Sequence, residues 1–96
     1  MNLVVTYDVA TTTSTGRRRL RQVAKICEGY GQRVQYSVFE VVCSQTDLAK
    51  LIKKLEDVIE PTEDSLRFYP IFSADFSSVV HRGVSKGLPH DDAWTL

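Results

Sequence analysis

Arg33-Val34-Gln35-Tyr36-Ser37-Val38-Phe39-Glu40-Val41-Val42-Cys43 is the stretch whose reading decides the fold. β-Branched and aromatic residues dominate it, which is strand composition. Val34, Tyr36 and Val38 alternate with Gln35, Ser37 and Phe39, the period of a pleated strand with two unlike faces. Read whole, it is one long strand; broken near Ser37, it is two short ones. Neither Gly nor Pro marks a break, so both readings stand at this point.

Upstream lies an amphipathic helix over residues 14–28. Leu20, Val23, Ala24, Cys27 and Tyr30 recur at three- and four-residue spacing and make one apolar face. A hydroxyl from the small-polar loop before it caps its start, and Gly29 and Gly31 are expected to stop it. Before that loop, residues 2–9 read as a buried strand on the run Leu3-Val4-Val5-Thr6-Tyr7, with Asp8 at its end. Downstream, Leu48, Leu51, Ile52, Leu55, Val58 and Ile59 form a second helical stripe. Ser44, Thr46 or Asp47 can start that helix, and Pro61 ends it. Residues 65–72 are a last strand, with Leu66 and Phe68 facing one way and Arg67 and Tyr69 the other. Pro70 lacks an N–H donor, so this strand lies at a sheet edge or ends its pairing there. Val79-Val80-His81 reads as a further short strand, and residues 87–96 as a tail.

The order fits an α+β, ferredoxin-like βαββαβ arrangement, one antiparallel sheet with both helices on one face. Residues 1–72 would be the core domain and residues 73–96 a C-terminal strand and tail. The other sheet face then has nothing to cover it. A homodimer packed sheet on sheet is the simplest cover.

Ninety-six residues with 43% hydrophobic content make one small soluble domain. No apolar run approaches the roughly 20 residues of a membrane helix, and no signal peptide is legible. The expectation is a cytoplasmic protein. Cys27 and Cys43 form no metal-ligand pattern and read as buried reduced thiols. The net charge is zero, but residues 16–33 carry Arg17, Arg18, Arg19, Arg21, Lys25 and Arg33 against Glu28 alone, a local +5. A concentrated basic segment in a neutral chain points to a local polyanion contact. Arg17, Arg21 and Lys25 share one stripe of the first helix, with Arg18 beside them and Arg19 at the margin. Arginine forks grip phosphate, and cations near a helix N-terminus favour an anion that relieves them. A solvated basic face paired with acidic loops is the plainer alternative. Lys50, Lys53, Lys54, Glu56 and Asp57 read as the solvated face of the second helix.

Asp8 is the carboxylate that the fold would expose at a strand end, where α/β layers often carry chemistry. Asp at such a junction also serves simply as a turn former or cap. It has no acidic neighbour in sequence, so one chain makes a weak metal site. A two-fold axis passing near Asp8 would bring two carboxylates together around Mg²⁺ or another divalent cation. His90-Asp91-Asp92 sits in the tail and reads as a solvated terminus.

Four blocks occur in order: Tyr7-Asp8, Gly16-Arg17-Arg18-Arg19-Leu20-Arg21, Arg33-Val34-Gln35-Tyr36-Ser37-Val38-Phe39-Glu40 and Asp64-Ser65-Leu66-Arg67-Phe68-Tyr69. Together they resemble the second universal CRISPR-associated protein family, the small partner of the CRISPR integrase in spacer acquisition. The resemblance covers residues 1–72. It implies a ferredoxin-like homodimer with a C-terminal strand crossing to the partner's sheet. It also implies a metal-dependent endonuclease on RNA or DNA, or else a non-catalytic scaffold holding double-stranded DNA between integrase dimers. On this resemblance Asp8 is the catalytic, metal-binding aspartate. Arg19, Arg21 and Arg33 match basic positions implicated in nucleic-acid contact, joined by Arg17 and Arg18 of the same basic segment. Tyr7, Ser37 and Phe39 fall at supporting positions. A ferredoxin-like regulatory domain for a small metabolite is the third possibility the fold allows.

Overall fold

The computed structural model describes residues 1–72 and 76–84. Residues 87–96, including His90-Asp91-Asp92, lie outside the described residues. The chain runs β1 (Asn2–Asp8), α1 (Ser14–Glu28), β2 (Gly31–Gln35), β3 (Val38–Val42), α2 (Gln45–Val58) and β4 (Ser65–Ile71), followed by a single 3₁₀ turn, Phe76–Ser78.

Alternation in β1 explains the layering. Leu3, Val5 and Tyr7 are buried, while Asn2, Val4 and Thr6 are half-exposed on the opposite face. Phe39 and Val41 of β3 join the buried set, and Val23 and Cys27 of α1 with Leu51 and Leu55 of α2 close over it. The sheet order is β2-β3-β1-β4, every pair antiparallel, with both helices packed against this one apolar face. This is the ferredoxin-like order expected from the sequence. β4 pairs with β1 alone, so Pro70 sits on an edge strand where its missing donor costs no second ladder.

The 33–43 stretch is two strands, turning at Tyr36-Ser37. The only positive-φ residue among those described is Gly83. The hairpin therefore turns with negative φ throughout and needs no glycine, and a register shift between Arg33 and Gln35 absorbs the mismatch.

α1 is capped by Thr13, whose hydroxyl accepts from the Gly16 N–H at 3.0 Å. Ser44 does the same for α2 toward the Asp47 N–H at 3.1 Å. Gly31 does not stop α1; it begins β2. A Cβ there would meet the Glu40 carbonyl oxygen at 2.4 Å, so the strands approach closely only because the side chain is absent. α2 ends at Val58, with Ile59 as its C-cap, before Pro61 is reached.

Val79, Val80 and His81 are not a strand in the single chain. A strand needs a ladder partner, and in one chain this segment has none. It runs instead past Val34 of β2 and Glu40 of β3, with which it shares a hollow. Cys27 is fully buried, and burial pushes its thiol up to about 11, so it is inert at neutral pH. Cys43 is only half-buried, unlike the sequence expectation for both thiols. Lys50, Lys53, Lys54, Glu56 and Asp57 are exposed as expected, with Lys53 and Asp57 paired at 2.9 Å. Among the described residues no helix is long and apolar enough to cross a membrane.

Candidate nucleic-acid and metal site

Asp8 closes β1 with an exposed side chain, level with Ser65 of β4. By alternation it belongs to the open face of the sheet, with Val4 and Thr6. Tyr7, Asp8, Arg21, Arg33, Tyr36 and Ser37 line a hollow of about 420 Å³, with Val9, Leu20 and Ala24 as its apolar part. The fold thus gathers residues from β1, α1, β2 and the hairpin turn.

Tyr7 ties these pieces together. Its ring is buried and stacks on Phe39 with centroids 6.1 Å apart. Its hydroxyl donates to the Tyr36 carbonyl at 3.1 Å, and its N–H donates to the Ser37 carbonyl at 3.2 Å. Burial pushes the phenol pKa up, partly opposed by the nearby Arg33 charge. Tyr7 therefore fixes the turn and stays neutral. Phe39 is fully buried and supports the site through its ring contacts with Tyr7 and Arg33. Ser37 contributes its backbone carbonyl to this arrangement.

Arg33 lies over the Phe39 ring, its guanidinium carbon 5.2 Å from the centroid. It approaches Glu28 only at 4.0 Å. Its Nε is buried and without a hydrogen-bond partner among the described residues. An unsatisfied buried donor on a cationic fork, beside Asp8 and Arg21, is a feature that an anionic ligand can explain.

The other arginines separate into two groups. Arg17, Arg18 and Arg21 are exposed on α1; Arg17 also donates to the Thr11 carbonyl at 3.2 Å. No acidic residue stands in the first turn of α1 to offset them. Arg19 is turned inward. Its Nε donates to Asp64 Oδ2 at 2.8 Å and its Nη2 to Oδ1 at 3.4 Å. Asp64, whose side chain is fully buried, also accepts from the Ala10 N–H at 3.1 Å and the Glu60 N–H at 2.9 Å. Arg19 thus spends its fork on the protein rather than on the basic face that the sequence suggested for it.

Asp64 is the residue that sequence reasoning gave no role. Its Glu60 partner is local, but Arg19 and Ala10 lie 45 and 54 residues away, and no local pattern signals them. Burial alone would raise its pKa; the bonds from Arg19, Glu60 and Ala10 outweigh that and hold the carboxyl below its ordinary value. Ala10 is two residues beyond Asp8, so this knot anchors the loop that leaves the candidate site.

A divalent cation needs several oxygen ligands, often one or two carboxylates with water and phosphate oxygens. Among the described residues no group of three or more His, Cys, Asp and Glu could hold one. Asp8 is the acidic residue in the lining of the hollow, and by itself it does not make a complete metal site.

The family model described as CRISPR associated protein Cas2 matches residues 1–79. A protein of Chlorobaculum tepidum named CRISPR-associated endoribonuclease Cas2 is 48% identical over 96 residues, covering 100% of this chain and 98% of its own. A CRISPR-associated endonuclease Cas2 of Halalkalibacterium halodurans is 41% identical over 92 residues, covering 96% of each. The crystal structure of Streptococcus pyogenes Cas2 at pH 6.5 superposes with a TM-score of 0.76 at 43% identity, covering 86% of this chain and 100% of that one. On this family match and these identities, the chain belongs to the CRISPR-associated Cas2 family.

Proposed function

We propose that this chain acts as a homodimeric endonuclease of CRISPR spacer acquisition, cutting RNA or DNA phosphodiesters with a divalent cation such as Mg²⁺. The observation that carries this is the hollow whose lining brings together exposed Asp8, Arg21 and Arg33. The arginines supply phosphate-binding forks, and Asp8 supplies an oxygen ligand. The names of relatives as endoribonuclease and endonuclease support the same reading. Dimerisation is supported by the open sheet face, where Val42 is 65% and Tyr69 44% exposed. Because Asp8 belongs to that face, two copies packed across it could set Asp8 beside Asp8 of a second copy. The ion would then be held between them, completing a ligand set that one chain lacks. Residues 79–81 would find their ladder partner on the second copy's sheet.

The test is cleavage of a labelled single-stranded oligonucleotide by purified chain. Cutting is expected with Mg²⁺ or Mn²⁺ and should stop on chelation, while binding persists. Binding without cutting under every cation tried would overturn the nuclease reading.

A second reading is favoured by the lone carboxylate and the exposed Arg17, Arg18 and Arg21. It makes the dimer a non-catalytic scaffold for double-stranded DNA between integrase dimers. Both readings require a salt-dependent phosphate contact through α1. Replacing Arg17, Arg18 and Arg21 together by Ala is expected to flatten the slope of log affinity against log salt by roughly 2–3 on duplex DNA. An unchanged slope would remove α1 from the interface. Binding with no salt dependence in the parent chain would instead return the small-metabolite regulatory reading.

A further inference from the structure

Tyr36 is an exposed aromatic whose ring neither the core packing nor the contacts described above have used. Its side chain stands at the tip of the β2–β3 hairpin, and the residue is 71% exposed. A tyrosine in a two-residue turn with negative φ satisfies no backbone requirement, since small polar residues serve there as well. Its burial contributes little to the core. Yet its backbone is held firmly, with the Tyr36 carbonyl accepting from the Tyr7 hydroxyl at 3.1 Å and the next carbonyl from the Tyr7 N–H at 3.2 Å. A rigid mount under an exposed ring is what a contact surface requires, because little ordering entropy remains to be lost.

The surroundings say what kind of contact. Tyr36 borders two hollows. One also holds Asp8, Arg21 and Arg33. The other, of about 550 Å³, is lined with it by Gln35, Ser37, Arg82 and Val84. The ring therefore stands between two arginine-bearing hollows. An aromatic face flanked by phosphate-gripping forks is the chemistry of single-stranded nucleic-acid recognition. A paired base cannot offer its face without leaving the duplex stack.

We propose that Tyr36 is a nucleobase platform. An unpaired base stacks on its ring, with a neighbouring phosphate at Arg21 and Arg33. This rests on the nucleic-acid reading above and deepens it: the strand entering the Asp8 hollow is single-stranded, and Tyr36 selects it. The ring offers a π-face that every base can meet, so selection is for strandedness rather than sequence.

The experiment compares Tyr36→Ala, Tyr36→Phe and the parent chain on a short single-stranded oligonucleotide carrying 2-aminopurine and on a duplex of equal length. Tyr36→Ala is expected to weaken single-strand binding about five- to hundredfold, and to abolish the 2-aminopurine quenching seen with the parent. Tyr36→Phe keeps the ring and should retain both. Duplex affinity should move less than about twofold in either variant. Equal losses on single strand and duplex would overturn the proposal. So would a Phe variant as weak as the Ala variant, or unchanged quenching in Tyr36→Ala. A Tyr36→Ala chain that loses its dimer mass in sedimentation, with loss of binding to both substrates, would assign the ring to subunit contact and overturn it too. If the parent chain binds neither substrate, the nucleic-acid reading itself fails, a result distinct from all of these.

Discussion

Asp8→Asn is expected to lower metal-dependent cleavage on the order of 10³-fold or more, while affinity for the same oligonucleotide without cation stays within about twofold. The substitution keeps the shape of the side chain and removes its charge. Asp8 is exposed, so neither burial nor a core contact is disturbed, and the urea midpoint should not change. The arginines of the hollow, Arg21 and Arg33, are untouched. What is lost is the carboxylate of the hollow's lining, and it would be lost from both copies of a dimer at once. A small rise in cation-free binding is consistent, since removing an anion beside the phosphate site lessens repulsion. Single-turnover cleavage against Mg²⁺ concentration is the direct measurement. A variant that cuts as fast as the parent would take the chemistry away from Asp8. Parent and variant that both fail to cut would move the weight to the scaffold reading. In that case the two should perform equally in spacer integration with the integrase.

The elements that rest on periodicity were legible from the sequence, and those that rest on distant partners were not. α1 falls on residues 14–28 as its apolar spacing required, and β4 takes the edge position that Pro70 allowed. The hairpin break escaped because its turn uses no positive φ and so carries no Gly or Asn signature. Gly31 misled because a strand glycine that permits close approach looks, in sequence, like a helix stop. Within the site, Asp8, Tyr7, Arg21, Arg33 and Ser37 do converge on one hollow. Arg19 does not, and helical spacing had placed it only at the margin of the basic face. Its direction is set by a buried carboxylate 45 residues later, which no local pattern encodes. Position on a helix fixes where a long side chain begins; the partner fixes where it ends.

That partner carries the second large effect. Asp64→Ala is expected to destabilise the fold on the order of 3 kcal/mol, a large share of the roughly 5–15 kcal/mol that holds a small domain together. Removing the carboxylate strands the Ala10 and Glu60 N–H donors and leaves the inward-turned Arg19 without its ion pair. The urea midpoint should fall by roughly 1–3 M. The pH dependence identifies the charge as the cause. Asp64 has a lowered pKa when folded, so its contribution is present in full above the unfolded carboxyl value of about 3.9. It is lost as pH falls through the folded value, where native and unfolded states both bind the proton. The gap between parent and Asp64→Asn should therefore be widest near neutrality and close in acid. A gap that does not change with pH would make Asp64 a matter of shape and not charge. The Asn variant also separates stability from function. It retains one acceptor for the Ala10 or Glu60 N–H but releases Arg19. If the knot positions the loop after Asp8, Asp64→Asn should slow cleavage at temperatures where it remains fully folded, with oligonucleotide binding by Arg17, Arg18 and Arg21 intact. Cleavage at the parent rate in that folded variant would confine Asp64 to stability.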